Sequence, residues 1–137
     1  MTDRDHTKTR TSRQPGKPVS IVDAGRGSVI CERCLVADTA WARLCGLLGR
    51  QELAPGEGML LRPSGSIHTW FMRFPIDVVF LDGDLSVLGT VAGLQPWRGA
   101  ARRRARAVLE LAGGECERRG VAVGARLALG DPRGGQG

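Results

Sequence analysis

The 137-residue sequence lacks a long apolar run and has few aromatic side chains, with 3 Trp, 3 Phe and 0 Tyr. Its longest mainly apolar stretch, around residues 76–81, is far shorter than the ~20 residues that cross a bilayer. Residues 1–17 mix basic and acidic side chains and have no apolar h-region of the kind that an export signal contains. These absences predict a cytoplasmic protein without a transmembrane segment.

The sequence also lacks the complete residue sets that mark common chemistries. It has no Gly-rich phosphate loop and no nucleophile–base–orienter set, so we assign no catalytic residue and no cofactor. Cys31 and Cys34 form a C-x2-C pair, which on a tight turn could present two thiolates to zinc. However, residues 28–37 are predicted to form a strand, where residues three apart point to opposite faces. We therefore expect reduced structural thiols and no metal site.

What the chain does contain is typical of a turn-rich β domain. It has 20 glycines, 42% hydrophobic and 25% charged residues. Alternating or β-branched runs and turn residues predict a short helix at residues 39–48, a helical turn at 113–119, a loop at 98–105, and strands at 19–24, 28–37, 59–62, 66–72, 76–82, 85–94, 106–112 and 126–129. The expected architecture is a mainly β, compact antiparallel sandwich or barrel-like domain with one or two short helices. We expect a hairpin of residues 19–37 and a three-stranded meander of residues 66–94.

The polar composition of the chain ends predicts two disordered tails. Residues 1–18 form a basic tail that cannot bury enough apolar surface to offset its ordering entropy, and residues 131–137 form a short C-terminal tail. A single globular domain is expected between them, at residues 19–130.

The central block, residues 67–81, reads IHTWFMRFPIDVVFL and resembles the uncharacterised bacterial and archaeal family called domain of unknown function 192. The resemblance extends over roughly residues 29–129 through further recurring elements: Arg43, Gly46-Leu47, Gly49-Arg50, Gly56-Glu57-Gly58-Met59, Val108-Leu109-Glu110-Leu111, Gly113 or Gly114, Gly120-Val121 and Gly124. It implies a compact, mainly β sandwich-like fold with short helices, and it implies no activity. Many members of that family carry an N-terminal export or lipoprotein signal, which residues 1–17 do not resemble.

His68 and Asp77 in this block are candidates for acid–base chemistry, because a histidine oriented by a carboxylate is a common general base. Their convergence depends on the hairpin register: one register places them on opposite faces, and a one-residue slip places His68, Trp70, Met72 and Asp77 on one face. The alternative is structural, with each polar side chain satisfied by hydrogen bonds. The ligand-facing candidates on this surface are His68, Trp70, Met72, Asp77, Arg43 and Arg50, the two arginines being suited to an anionic ligand or to pairing with Glu110.

The strongest electrostatic feature is a cluster of five arginines within nine residues: Arg98, Arg102, Arg103, Arg104 and Arg106. No acidic residue interrupts it, and the net charge of the chain is +6. Such a cluster can bind nucleic acid or another anionic polymer, or can simply be a solvated loop. The leading interpretation is a non-enzymatic binding or accessory module for a small ligand or protein partner. The alternatives are a small hydrolase or metal-dependent enzyme using His68 and Asp77, and a weak binder of nucleic acid.

Overall fold

The computed structural model of the protein describes residues 18–37, 53–68 and 74–130. These residues form nine strands and one helix: β1 (Val19–Asp23), β2 (Val29–Ala37), β3 (Glu57–Leu61), β4 (Ser66–His68), β5 (Ile76–Leu81), β6 (Val87–Leu94), β7 (Gly99–Ala101), β8 (Ala107–Ala112), α1 (Glu115–Arg119) and β9 (Leu127–Gly130). The fold is therefore mainly β, as the sequence predicts. The helix predicted at residues 39–48 and most of both predicted tails lie outside the described residues. In the described ranges, no helix is long and apolar enough to span a membrane.

Seven strands form one mixed sheet in the order β6-β5-β8-β3-β2-β1-β9. All neighbours in it are antiparallel except β2 and β3, which are parallel. The two edges of the sheet meet through a bridge between Ser86 and Arg126, and the Leu127 amide donates to the Leu85 carbonyl at 2.9 Å. This contact closes the sheet into a barrel-like form.

The sheet has apolar side chains on both of its faces. One cluster receives residues from β1, β2, β3, β5, β6, β8, β9 and α1, and it includes Ile21, Leu60 and Leu109. Because strands from all around the sheet contribute, this cluster fills the barrel interior. A second cluster, which includes Met59 and Val78, takes no buried residue from β1 or β9 and lies on the outer face of the other strands.

The predicted meander of residues 66–94 is only partly present. β5 and β6 pair as expected, but β4 does not pair with β5. The other neighbour of β5 is β8, with Val79 opposite Leu109, so a strand from later in the chain occupies the position predicted for β4. All six residues of β5 and all six of β8 are buried, as expected for central strands covered on both faces.

The strand β4 instead forms a small two-stranded sheet with β7. This corrects the prediction of an unbroken loop at residues 98–105, since Gly99–Ala101 pairs with Ser66–His68. The pair Ile67 and Ala100 packs on the outer cluster, Ile67 fully and Ala100 partly buried. Apolar contact on one side therefore holds β7 to the barrel. In the sequence, Arg98 immediately precedes β7 and Arg102 immediately follows it.

Candidate binding surface

Asp77, a candidate from the central block, is 1% exposed, and its side chain accepts hydrogen bonds from backbone amides. Its Oδ1 accepts a hydrogen bond from the Gly93 amide at 2.9 Å. Its Oδ2 accepts hydrogen bonds from the Gly114 amide at 3.0 Å and the Cys116 amide at 2.9 Å. The carboxylate thus joins β5 to β6 and to the first turn of α1. Three donors on one carboxylate are the arrangement expected of a structural aspartate, with the acceptor oxygens directed inward.

His68 is the last residue of β4, and its backbone pairs with Gly99 of β7. Neither of the registers considered for a β4–β5 hairpin is present, so the premise that would bring His68 and Asp77 onto one face is wrong. The reason is topological: β8 fills the position beside β5. The remaining ligand-facing candidates lie outside the described residues: Trp70, Met72, Arg43 and Arg50.

Cys31 and Cys34 contradict the expected geometry of the C-x2-C pair, because both side chains are 0% exposed and belong to the interior cluster. The cause is a bulge in β2: Val19 and Ile21, two positions apart on β1, oppose Cys34 and Cys31, three positions apart. A bulge inserts one residue and so changes which positions share a face. Among the described residues, no group of three His, Cys, Asp or Glu side chains is placed to hold a metal ion.

Two buried thiols, Cys34 and Cys116, lie in surroundings that oppose ionisation. The Cys31 Sγ donates to the Gly56 carbonyl at 3.3 Å. A side-chain hydrogen bond with Cys31, followed by burial, raises the pKa of Cys34 well above its ordinary value. Burial, with the charge of Asp77 next, raises the pKa of Cys116 to about 12. Since the thiolate is the reactive form, Cys34 and Cys116 suit packing rather than nucleophilic or ligand chemistry.

An ion-pair network centred on the buried Glu115 of α1 was not predicted from the sequence. The Glu115 carboxylate accepts hydrogen bonds from Arg118 Nε at 2.6 Å, Arg119 Nε at 3.2 Å and the Gly56 amide at 2.9 Å. Arg119 also donates to both oxygens of Glu32 on β2, at 2.7 and 3.0 Å. This network holds α1 against the neighbouring strands. Glu32 and Arg119 are 87 positions apart in the sequence, so no local sequence pattern predicts that they pair.

Both acids of this network have lowered pKa values. Burial alone would raise the pKa of Glu115, but the hydrogen bonds from Arg118 and the Gly56 amide, together with the charge of Arg119, hold it below the ordinary value. The hydrogen bond from Arg119 lowers the pKa of Glu32. Glu110, by contrast, is 0% exposed on β8 and lies opposite Met59 and Val78 on the outer face of the sheet.

Within the described residues, the arginine side chains of the arginine segment, residues 97–106, reach solvent together. All five of its arginines are exposed: Arg98, Arg102, Arg103, Arg104 and Arg106. Its backbone is nevertheless tied down at several points. The Arg102 amide donates to the Gly65 carbonyl at 3.1 Å, and the Arg106 amide donates to the Leu81 carbonyl at 2.7 Å. The Arg106 carbonyl accepts a hydrogen bond from the Ser64 amide at 2.9 Å. The segment is therefore a platform whose backbone is held in place and whose arginine side chains are exposed.

Arg102 lies directly against β6. A Cβ atom added to Gly89 would lie 2.8 Å from both Cζ and Nη1 of Arg102, a distance that real side chains do not tolerate. The absence of a side chain at Gly89 thus creates the space that the guanidinium of Arg102 occupies. This dependence could not be read from the sequence, because only the fold brings residue 89 under residue 102.

Two residues of the arginine segment adopt left-handed backbone conformations, Trp97 with φ 65° and Arg104 with φ 72°. The third such non-glycine residue in the described ranges is Leu85. This conformation costs roughly 1–2 kcal/mol for a residue with a side chain, and such outliers concentrate at functional sites. Trp97 is also 60% exposed, an unusual position for so large an apolar side chain.

Negative charge is sparse among the described residues that contact the backbone of the arginine segment. Residues 97–106 contain no Asp or Glu, and neither do residues 62–66, which the segment contacts through Ser64 and Gly65. Asp82 follows Leu81, the third backbone contact, and its Oδ1 accepts from the amides of Asp84 at 2.8 Å and Ser86 at 2.9 Å. That carboxylate is thus directed into its own turn, and the exposed charge contributed by the segment is positive.

Comparisons with known proteins agree on the fold, and the descriptions of the matching proteins name no reaction. Residues 21–129 match the DUF192 family, whose description reads "Uncharacterized ACR". A crystal structure of a protein of unknown function from Novosphingobium aromaticivorans is 27% identical, with a TM-score of 0.67 over 81% of this chain and 83% of the other. One from Sinorhizobium meliloti, provisionally described as a transcription regulator, is 23% identical, with a TM-score of 0.68 over 85% and 95% of the two chains. No protein of curated function matches the sequence significantly.

Proposed function

This chain belongs to the DUF192 family, and within that uncharacterised family we propose that it is a non-enzymatic binding module whose arginine segment holds nucleic acid. One observation carries the proposal: five arginine side chains are exposed on a segment whose backbone is fixed by hydrogen bonds to two other parts of the barrel. The central block gives less support to an enzyme, because the Asp77 carboxylate already accepts three backbone hydrogen bonds.

Counterion release supplies the driving force for such a surface. Each phosphate that an arginine neutralises releases condensed cations, so the affinity falls steeply with salt. Arginine suits this role because its planar guanidinium presents a fork of donors that matches phosphate oxygens and remains charged at any physiological pH. A platform with a fixed backbone also loses less entropy on binding than a disordered basic tail, since only side chains have to be ordered.

The salt dependence of oligonucleotide binding tests the proposal. Fluorescence anisotropy with a labelled 20-nucleotide oligonucleotide would be measured between about 50 and 200 mM salt, where a phosphate-binding surface loses affinity most visibly. We expect the double variant Arg102→Ala/Arg104→Ala to bind more weakly and to flatten the plot of log K against log salt by about 1–2 units.

The matched control removes the same charge elsewhere. Arg33 on β2 and Arg126 before β9 are exposed, and both lie outside the arginine segment. The variant Arg33→Ala/Arg126→Ala should keep its affinity within about twofold, since these residues lack the clustered geometry that contacts consecutive phosphates. Equal losses in the two double variants would show that only the net charge of the protein attracts the polymer, and the proposal would fail.

Gly89→Ala probes the platform without removing a charge. The added methyl group meets the far end of Arg102, so the guanidinium has to move while the strand keeps its backbone. We expect a measurable loss of oligonucleotide affinity with little change in the urea midpoint of unfolding. Unchanged affinity would show that the position of Arg102 against β6 does not contribute to binding.

A further inference from the structure

We infer that the arginine segment prefers single-stranded nucleic acid to a duplex, with Trp97 as a stacking platform for one base; this inference rests on the function proposed above. Two features of Trp97 set it apart from a residue that merely lies near a charged loop. It is 60% exposed, and it occupies a left-handed backbone conformation in the turn between β6 and β7. It also stands immediately before Arg98, the first arginine of the cluster.

The exposure of Trp97 is unfavourable in the isolated protein, because a tryptophan gains more than almost any other side chain from burial. In the described ranges, the large hydrophobic residues that are exposed are Val29, Trp97 and Val123. The two valines lie outside the arginine segment. Trp97 is therefore the exposed aromatic side chain that the described fold places among the arginines.

The backbone conformation of the arginine segment supports the same inference. Trp97 and Arg104 both have positive φ angles, and they flank β7 within eight positions of the chain. β7 pairs with β4, and Ile67 with its partner Ala100 packs on the outer apolar cluster, so the two turns are held at the ends of an anchored strand. Backbone conformations of this kind concentrate at functional sites, so their presence on both sides of β7 supports the role inferred for Trp97.

A single strand fits this combination better than a duplex does. Bases in a duplex are stacked on one another and hide their π-faces, whereas an unpaired base can stack on an aromatic side chain while arginines hold the neighbouring phosphates. A duplex reader usually inserts a helix or a β-ribbon into a groove, but β7 has only three residues and its partner β4 has three. The recognised class is thus single-stranded DNA or RNA with no strong base preference, because every base has a π-face.

Anisotropy with two probes of equal length tests the inference: a labelled 20-nucleotide oligo-dT and a labelled 20-base-pair duplex. We expect the wild-type protein to bind the single strand more tightly. Trp97→Ala should weaken single-strand binding by roughly 5- to 150-fold, as the loss of one base–aromatic stack does, and leave duplex binding within about twofold. Trp97→Phe should restore part of the single-strand affinity.

Val123→Ala is the matched control, because it also removes an exposed apolar side chain, 68% exposed, from a different turn. It should leave binding to both probes unchanged. The urea midpoint of each variant verifies folding, and if Trp97→Ala is unstable, the comparison of Trp97→Phe with the wild type carries the test.

The outcomes separate this inference from the function it rests on. If the arginine variants lose binding but Trp97→Ala affects both probes equally or neither, the nucleic-acid surface stands and the stacking role is wrong. If neither probe binds in a salt-dependent way, both proposals are wrong. If vesicles of phosphatidylserine and phosphatidylcholine bind at a salt concentration that abolishes oligo-dT binding, the surface recognises anionic membranes instead, and both proposals are again wrong.

Discussion

Replacing Asp77 should destabilise the protein severely. Its carboxylate accepts three backbone hydrogen bonds, from Gly93 and Gly114 in partly buried surroundings and from Cys116 in a buried one. A hydrogen bond to a charged acceptor contributes about 1.5–3 kcal/mol when buried, and one nearer solvent contributes about 1 kcal/mol. The sum for Asp77→Ala is about 3–5 kcal/mol, a large part of the roughly 5–15 kcal/mol that stabilises a typical domain.

The isosteric variant Asp77→Asn should be intermediate. Its amide oxygen can still accept on one side, but its NH2 group faces at least one backbone N–H, so we expect a loss of about 1.5–3 kcal/mol. Urea unfolding followed by circular dichroism measures both losses as a lower midpoint with an unchanged slope. Asp77→Ala should lower the melting temperature by roughly 10–20 °C for a chain of this length.

A second readout locates the damage. The amides of Gly114 and Cys116, which donate to Asp77 Oδ2, should exchange with solvent faster in both variants, because their acceptor is lost or weakened. Asp84→Asn serves as the control, since Asp84 is exposed at the tip of the β5–β6 turn and its replacement should change stability by less than about 0.5 kcal/mol. The reasoning is refuted if Asp77→Ala is as stable as the wild type or more stable, which is the behaviour expected of a carboxylate retained for chemistry at the expense of stability.

Three further predictions concern acid stability, packing and thiol reactivity. Since the pKa of Glu115 is lower in the folded state than its ordinary 4.5, its contribution to stability is present above that value and is lost as the pH falls below it; urea midpoints against pH should show this decline, and Glu115→Gln should reduce it. Gly58→Ala places a methyl group 2.7 Å from a backbone carbonyl oxygen and should cost about 1–3 kcal/mol in urea unfolding, whereas Gly113→Ala, whose nearest neighbour atom is 3.7 Å away, should be nearly neutral. Maleimide at about pH 8 followed by peptide mapping should leave Cys34 and Cys116 unmodified in the folded protein, because both pKa values are raised, and modification of either at the rate of a free thiol would contradict their burial.

The local turn and capping chemistry was predictable from the sequence. Gly120 directly follows the helical turn predicted at residues 113–119, and it ends α1 at φ 70°, where a residue without a side chain is favoured. Gly83 and Asp84 lie between the strands predicted at residues 76–82 and 85–94, and the Asp82 side chain accepts hydrogen bonds within that turn. Both features depend on residues within a few positions of one another, so they can be derived without knowing the fold.

Strand neighbours were not predictable in the same way. The spacing of residues 66–82 favoured a local hairpin, but β5 pairs with β8, about 30 positions later, and β4 pairs with β7. The residue pattern of a strand predicts which of its side chains are buried, but it does not predict which strand pairs with it. Several strands with similar patterns can form hydrogen bonds with the same neighbour. The bulge in β2 was hidden for a related reason: an inserted residue changes the face of Cys31 and Cys34 without leaving a local signature.

Part of the candidate site could likewise be predicted from the sequence, and part of it could not. The arginine segment could be identified because clustered charge is a property of the sequence itself, and exposure of all five arginines agrees with it. The roles of Asp77 and Glu115 could not, because they depend on donors from other elements: Gly114 and Cys116 for Asp77, and Gly56 for Glu115, in addition to its neighbours Arg118 and Arg119. A carboxylate in an apolar strand indicates an important position but does not distinguish a structural acceptor from a catalytic acid.

The burial of Asp77 and Glu115 and the exposure of the arginine segment favour binding over acid–base catalysis by these two carboxylates. Among the described residues, the buried charged side chains are all acidic, namely Asp23, Asp77, Glu110 and Glu115. A buried carboxylate requires donors, which backbone amides supply to Asp77 and which Arg118 and Arg119 help supply to Glu115. A general acid or base has to meet a substrate, and the oxygens of Asp77 and Glu115 are instead occupied by these structural donors. The arginines of the 97–106 segment face solvent, so this part of the described surface attracts anions.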